Sequence, residues 1–239
     1  HAEVMGGTVG DVAAALAATA PRAAVLVIGP TAGADILARA AASRGSRVIH
    51  AAADDAGPDA WAGRSWMADN AGVALAVARE LGISDALARQ GMRSAPPDPG
   101  ALRAGRIEVA GRRVGYVDAS AANDPQSLGL VLGVRHEPAV FVFHHRADRP
   151  ARLAQFSEAA PWAREDDGVI VTGDRPDLLT WRRLRQRVSG GRATFTPSRR
   201  LAAELRRRLS SPAPPSAVVF CGNTKGIRVD AIVAALQEA

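Results

Sequence analysis

Cysteine, lysine and aromatic residues are scarce in this chain of 239 residues. The one cysteine, Cys221, excludes a disulfide framework within the chain and a metal site built from several cysteines. Aromatic residues make up 4% of the sequence, so the core must consist mainly of Ala, Val, Leu and Ile. No apolar run approaches the roughly 18 residues that a membrane-spanning helix needs, and no secretory signal is recognisable. We therefore expect a cytoplasmic protein.

The charge of the chain is basic and is carried almost entirely by arginine. There are 30 basic and 24 acidic residues, which gives a formal net charge of +6, and Lys225 is the only lysine. This balance suits nucleic acid, an anionic polymer or a polyphosphate ligand. The arginines are spread among acidic residues, and no RNA-binding, zinc-finger or aromatic-interleaved basic pattern occurs. We therefore expect no nucleic-acid partner.

Strand-like and helix-like runs alternate along the whole chain. Continuous apolar runs predict buried strands at AAVLVIG, PAVFVFHH, DGVIVTG and SAVVFCG. Helical patterns lie between them, and DNAGVALAVARELGI predicts a long helix that begins at Asp69 or Asn70. A hairpin is predicted to turn at Gly111. This alternation predicts an α/β fold with mainly parallel sheets.

The stretch SAPPDPGALR, residues 94–103, interrupts this pattern. Proline fixes φ and disfavours helix in the residue before it, so the stretch is predicted to be a stiff joint. We expect the boundary between two units within residues 94–102.

Three predicted strand ends carry polar residues, and open α/β sheets bind ligands at the carboxyl ends of their strands. In GYVDASAANDPQS, Asp118 ends the strand, and its carboxylate could accept hydrogen bonds from a ribose. Asn123 or Asp124 either caps the next helix or faces a ligand. In FHHRADR, the residues Arg146, Asp148 and Arg149 form either a surface ion-pair cluster or part of a ligand site.

Two further patterns argue against a metal site and a triphosphate site. His144 and His145 are adjacent in a strand and point to opposite faces, which disfavours a two-histidine metal site. At the third strand end, in VVFCGNTKG, Gly222 and Asn223 either cradle an anion or, as we favour, cap a helix that has Lys225 in its first turn. The sequence contains neither a GxxxxGK[ST] nor a GxGxxG phosphate-binding motif. If the protein binds a nucleoside triphosphate, we expect the phosphate cradle outside these residues.

Several segments together resemble the Mur ligase superfamily. HAEVMGGT and WMADNAGVALAVARELGI resemble parts of its central domain, and VDASAANDPQS resembles the D-x-AHNP element of its C-terminal domain. Within that superfamily, APPDPGALR, AAND and RADR resemble the poly-γ-glutamate synthase ligase subunit of the CapB/PgsB type. The sequence departs from the superfamily pattern at Ala122, which replaces a histidine, and in its lack of a P-loop. Because the chain opens at His1, we expect it to be a piece of a longer protein.

The resemblance implies a fold, a domain organisation and an activity. Residues 1–94 would be the C-terminal part of a central ATP-binding domain, 95–102 a connector, and 103–239 a Rossmann-like ligase domain. The activity would be ATP-dependent amide formation, in which ATP phosphorylates a carboxylate and an amine attacks the acyl phosphate. Glutamate polymerisation for a poly-γ-glutamate capsule is the implied reaction, with ATP and Mg²⁺ required. Membrane-protein subunits of a synthase complex are implied as partners, which would hold the protein at the inner face of the membrane.

The resemblance also assigns roles to individual residues. It implies a magnesium ligand, an adenine contact, an arginine on the ATP phosphates and an aspartate that contacts the ribose or orients the hinge. These are, in the same order, His1, Asn70, Arg103 and Asp118. On the substrate side it implies Asn123, Ser127, Arg146, Asp148 and Arg149.

Two alternatives to the polyglutamate ligase remain open at this point. Another Mur-like ligase, of the folylpolyglutamate or peptidoglycan type, shares much of the pattern. A non-catalytic binding or scaffold subunit of a synthase complex would explain the missing P-loop. For the same reason, we expect these 239 residues alone not to hydrolyse ATP.

Overall fold

The computed structural model describes residues 2–53, 65–95, 102–122, 124–132, 137–158, 166–188 and 192–238. The chain divides into two compact units, His1–Pro96 and Pro97–Ala239. Within the described ranges, no helix is both long and apolar enough to cross a membrane.

The first unit contains a two-stranded parallel sheet, β1–β2, with flanking helices. Its elements are α1 (Ala2–Met5), α2 (Val9–Ala17), β1 (Val25–Ile28), α3 (Ala34–Ala42), β2 (Arg47–His50), α4 (Ser65–Glu80) and α5 (Asp85–Ser94). Thr8 caps α2 through its hydroxyl, which accepts a hydrogen bond from the Asp11 amide at 3.1 Å. The Asp11 carboxylate in turn accepts from the Thr8 amide at 3.0 Å. This reciprocal pair satisfies two backbone donors that the helix leaves open.

Helix α4 begins at Ser65, so that Asp69 and Asn70 lie inside it. The start predicted for this helix is therefore wrong. The residues before Asp69 continue the helix, so neither polar side chain is needed as a cap. Gly72, in the same helix, allows a close approach to the segment after β2. A Cβ atom at this position would lie 1.8 Å from the carbonyl oxygen of Ala52.

The second unit is a six-stranded sheet with the strand order β3-β4-β8-β5-β6-β7. Among the described strands of this sheet, only the β3–β4 pair is antiparallel, and the other four pairs are parallel. The strands are β3 (Arg103–Val109), β4 (Arg112–Asp118), β5 (Ala139–His145), β6 (Gly168–Gly173), β7 (Ala193–Phe195) and β8 (Ala217–Cys221). The helices are α6 (Pro125–Leu132), α7 (Pro150–Glu158), α8 (Leu178–Arg187), α9 (Leu201–Leu209) and α10 (Val229–Gln237), with a 3-10 turn at Ser198–Arg200 before α9. The predicted α/β fold with a mainly parallel sheet is confirmed.

Helices cover both faces of this sheet because side chains alternate along each buried strand. Phe141 and Phe143 of β5 belong to one core cluster, together with apolar residues of α6, α7 and α8. Val140 and Val142 belong to a second cluster, with apolar residues of α9 and α10. A strand buried on both faces has a continuous apolar sequence, which is why AVFVF was recognisable as one.

The position of β8 determines which loops meet. This strand is the last in the chain, yet it lies between β4 and β5. Because β4, β8, β5 and β6 are parallel, their carboxyl ends lie along one edge of the sheet. We call this edge, with the loops that follow Asp118, Cys221, His145 and Gly173, the carboxyl edge.

Candidate functional site

Arg103 and Asp118 form an ion pair at the carboxyl end of β4. They are directly opposite each other in the β3–β4 ladder, and Arg103 Nη2 lies 3.3 Å from Asp118 Oδ2. The other carboxylate oxygen, Oδ1, accepts hydrogen bonds from the Ser120 hydroxyl at 2.6 Å and the Ser120 amide at 3.2 Å. Asp118 is thus buried and fixed on both oxygens. The Arg103 side chain remains 52% exposed, so it can meet an anion from solvent.

A small cavity of about 200 Å³ lies beside this ion pair. It is bounded by β3 and β4 on one side and by α10 on the other. Its polar lining includes Arg103, Tyr116, Asp118, Asp230 and Gln237. The structure thus provides space for a ligand group next to the exposed guanidinium.

The loop after β4 leads directly into a capped helix. Asp124 accepts hydrogen bonds from the Ser127 amide at 2.8 Å and from the Ser127 hydroxyl at 2.5 Å. The helix-cap interpretation therefore holds for Asp124, while Asn123 lies outside the described residues. The Ser127 hydroxyl donates its hydrogen to Asp124, so its oxygen can still accept a hydrogen bond.

Asn223 joins the ends of β8 and β5 instead of capping a helix. Its side chain is buried, and its Nδ2 donates to the carbonyl oxygen of His144 at 2.8 Å. Its Oδ1 accepts from Arg152 of α7, whose Nη1 also donates to the Gly222 carbonyl at 3.2 Å. This network ties three elements of the carboxyl edge together.

The cap predicted at Gly222 and Asn223 is therefore wrong. Helix α10 begins later, at Val229, and Lys225 lies in the preceding loop rather than in a first helical turn. Gly222 and Gly226 have φ values of 99° and 97°, which are left-handed conformations that do not continue into a helix. Two glycines only four residues apart were the sequence signal for this loop.

His144 and His145 are both buried at the end of β5, with exposures of 4% and 5%. Strand alternation places His144 on the face of Val142 and His145 on the face of Phe143, which disfavours a shared metal ion. Burial lowers the pKa of both imidazoles. Within the part of the chain that the structure describes, neither Nδ1 atom has a hydrogen-bond partner. Both rings are thus held in the neutral form at neutral pH.

We expect this burial to make stability depend on pH. Below about pH 6.5, the ordinary pKa of histidine, the unfolded chain binds protons at these rings that the folded chain does not. The free energy of unfolding should therefore fall as pH decreases from 7.5 to about 5.5, and His144→Gln with His145→Gln should flatten this slope. Urea unfolding at each pH measures it.

His50 provides the control, because its side chain is exposed on β2. His50→Gln should leave the slope as it is in the unmodified protein. A slope that stays unchanged in the double variant would contradict a role for the two buried rings.

Arg146 and Asp148 pair with each other just after β5. Arg146 Nη2 lies 2.5 Å from Asp148 Oδ2, and hydrogen bonds from Arg146 lower the pKa of the Asp148 carboxyl. Arg149 donates its amide to the Arg146 carbonyl at 3.0 Å. Asp174, which we had not singled out, accepts from the Ala147 amide at 2.7 Å and so links the loops after β5 and β6.

The predicted site residues thus fall into separate groups. Arg103 with Asp118 and Arg146 with Asp148 are each brought together, but at the ends of β4 and β5, which β8 separates. Asn70 is exposed on α4 of the first unit. His1 lies outside the described residues. Among the described residues, no group of three His, Cys, Asp or Glu side chains could hold a metal ion.

Comparison with known proteins identifies the family of this chain. The family model described as the poly-gamma-glutamate synthase CapB C-terminal domain matches residues 105–239. The chain belongs to the poly-gamma-glutamate synthase CapB family. The resemblance stated from the sequence is confirmed.

Curated CapB proteins are similar over most of this chain. The capsule biosynthesis protein CapB of Bacillus anthracis is 34% identical over 189 residues, which is 75% of this chain and 40% of that protein. The PGA synthase CapB of Bacillus subtilis (strain 168) is 31% identical over 180 residues, 72% of this chain and 46% of that protein. The chain therefore spans less than half the length of either CapB relative.

Solved structures show the fold that this CapB-family chain shares. MurF from Acinetobacter baumannii superposes with a TM-score of 0.56 at 15% identity, over 90% of this chain and 51% of that one. FolC of E. coli, in complex with DHPP and ADP, gives 0.55 at 14% identity, over 100% of this chain and 58% of that one. The fold is thus that of the Mur ligases and FolC.

Proposed function

We propose that this chain is part of an ATP-dependent amide ligase that polymerises glutamate into poly-γ-glutamate. The observation that carries the proposal is the fixed Arg103–Asp118 pair at the carboxyl edge, in a chain that belongs to the CapB family. The names of the Bacillus relatives, capsule biosynthesis protein and PGA synthase, support the substrate class. In this proposal, residues 1–94 complete an ATP-binding domain and residues 103–239 form the ligase domain.

In this proposal, Arg103 and Asp118 have different roles beside the phosphate groups of ATP. ATP supplies the phosphoryl group that activates a carboxylate. Arg103 keeps its guanidinium exposed and contacts the negative charge of a phosphate group, which increases as the phosphoryl group is transferred. Asp118, fixed by Ser120, holds that guanidinium in position. Asn70 contacts the nucleotide base in this proposal, and His1 is its magnesium ligand.

The substrate side involves the loops after β4 and β5. The Ser127 hydroxyl donates to Asp124, so its oxygen can accept a hydrogen bond, which suits the amino group of an incoming glutamate. Arg146 and Arg149 supply positive charge for the glutamate carboxylates, and Asp148 orients Arg146. Asn123 belongs to the same proposed set. The membrane-protein partners stay a prediction from the sequence.

The test is an assay of the full-length protein with ATP, Mg²⁺ and glutamate. We expect ADP release that depends on glutamate, a hydroxamate product when hydroxylamine traps the acyl phosphate, and γ-linked glutamyl chains. Full-length protein that binds glutamyl chains but releases no ADP would overturn the proposal in favour of a scaffold subunit. Release of ADP with a folate or a muramyl peptide, and not with glutamate alone, would favour another Mur-like ligase.

A further inference from the structure

An arginine-lined pocket lies at the opposite edge of the same sheet, where β5, β6 and β7 begin. Its volume is about 500 Å³, and Arg192, Arg207 and Arg208 line it together with Asp166 and Gly168. We call it the amino-edge pocket. Strand β5 has seven residues, so roughly 20 Å separate this pocket from the carboxyl edge. None of the proposed catalytic or substrate residues lines it.

Glu204 of α9 holds two of the three arginines. Arg207 donates to both of its carboxylate oxygens at 2.8 Å, and Arg208 donates from Nε to Oε1 at 2.8 Å. Hydrogen bonds from Arg207, followed by those from Arg208, lower the pKa of Glu204 to about 2, so it is ionised at neutral pH. One negative charge therefore orients two positive ones. The N–H bonds on Nη1 of each guanidinium are not used in these contacts.

Arg192 and Gly168 complete the arrangement. Arg192 Nη1 donates to the backbone carbonyl of Asp166 at 2.7 Å. A Cβ atom on Gly168 would lie 2.6 Å from Nη1 of Arg208, so the glycine makes room for that guanidinium at the start of β6. The three guanidinium groups, set against the carboxylates of Asp166 and Glu204, leave a formal net charge of +1 at the pocket, and Arg208 is largely buried in it.

We propose that the amino-edge pocket binds the free carboxylates of a γ-linked glutamyl chain, as a second site away from the carboxyl edge. This inference rests on the proposed function, which makes such a chain the product. Each γ-linked residue carries one free carboxylate, and guanidinium groups match carboxylates with two parallel hydrogen bonds. The excess of basic residues in the chain falls within residues 97–239, which favours an anionic ligand on this unit. A chain held there stays attached between additions without occupying the reacting groups.

The test measures binding of a fluorescein-labelled γ-linked glutamyl decamer by anisotropy, without ATP. Arg207→Gln and Arg192→Gln are each expected to raise Kd about tenfold, the lower end of the effect expected for loss of one charge-assisted hydrogen bond. Gly168→Ala should raise Kd by a similar factor at unchanged net charge, because the new methyl group displaces the end of the flexible Arg208 side chain. Thermal unfolding of each variant shows that the fold is retained.

Arg183→Gln is the matched control. Arg183 on α8 has 61% side-chain exposure against 69% for Arg207, and each arginine pairs with a glutamate. Its replacement removes the same charge outside the pocket and should change Kd less than twofold. An equal effect of Arg183→Gln and Arg207→Gln would overturn the proposal, since it would show a diffuse charge effect.

Two further outcomes would also overturn it. One is the absence of decamer binding by the unmodified protein. The other is a single-stranded RNA of equal charge that binds as tightly and responds to the same variants. Because the assay contains no ATP, failure of ligase turnover leaves the binding result intact, and loss of binding leaves the turnover result intact.

Discussion

Arg103→Ala in the full-length protein is expected to lower kcat/KM for ATP about a hundredfold, the size typical for loss of one group that stabilises developing charge. The melting temperature should change little. The ion pair with Asp118 is half exposed on the arginine side, and such pairs contribute little to stability. Asp118 also keeps its two hydrogen bonds from Ser120 when the guanidinium is removed. Steady-state kinetics with thermal unfolding separates the two effects.

Arg106→Ala is the control, because Arg106 is an exposed arginine on the same strand. It should leave kcat/KM within about twofold of the unmodified enzyme. Asp118→Asn and the double variant complete a double-mutant cycle. If Asp118 acts by positioning Arg103, the losses of kcat/KM in the two single variants should be far from additive. Unchanged turnover in Arg103→Ala would return residues 94–103 to the role of a connector.

Gly173→Ala is expected to reduce the free energy of unfolding by about 3 kcal/mol, through backbone strain together with a steric clash. Gly173 ends β6 with φ at 89°, a conformation that alanine adopts only with strain. A Cβ atom there would lie 2.4 Å from the backbone oxygen of His145 and 2.9 Å from the His144 ring. Neither neighbour can move easily, since both residues are buried at the end of β5. Urea unfolding measures the loss.

Gly129→Ala offers the same chemical change at a different kind of position. Gly129 lies in α6, and a Cβ atom there would have no neighbour within 4 Å. Alanine is favoured over glycine inside a helix by up to about 1 kcal/mol, so this variant should be neutral or more stable. A similar loss of unfolding free energy in both variants would contradict the explanation by backbone strain and a steric clash at Gly173.

Much of the second unit was predictable because its signals are local. The apolar runs placed β5, β6 and β8 to within a residue or two, since strands buried on both faces need continuous apolar sequence. Gly111, with φ at 72°, was recognisable as the hairpin turn. Strand β7 was missed, because three residues are too few to show a period.

The candidate site was only partly predictable. Arg103 and Asp118 were both identified, but from a resemblance between motifs and not from their pairing, which depends on the register of β3 with β4. The substrate-side residues stay predictions. Arg152 and Asp174 were missed, because an arginine in a helix and an aspartate in a loop have no distinctive pattern.

The α/β class, the family and the hairpin were predictable from the sequence, because they depend on residues that are close in the chain or on whole motifs. The place of β8 between β4 and β5 was not, because local pattern does not encode the choice among strand orders. That order brings Asn223 to the His144 carbonyl across 79 positions of sequence and Arg152 to Gly222 across 70. The fold also gathers Arg192, Arg207 and Arg208 into one pocket where β5, β6 and β7 begin. Contacts between distant residues depend on the packing of the whole sheet, and so they follow from the fold and not from any one segment.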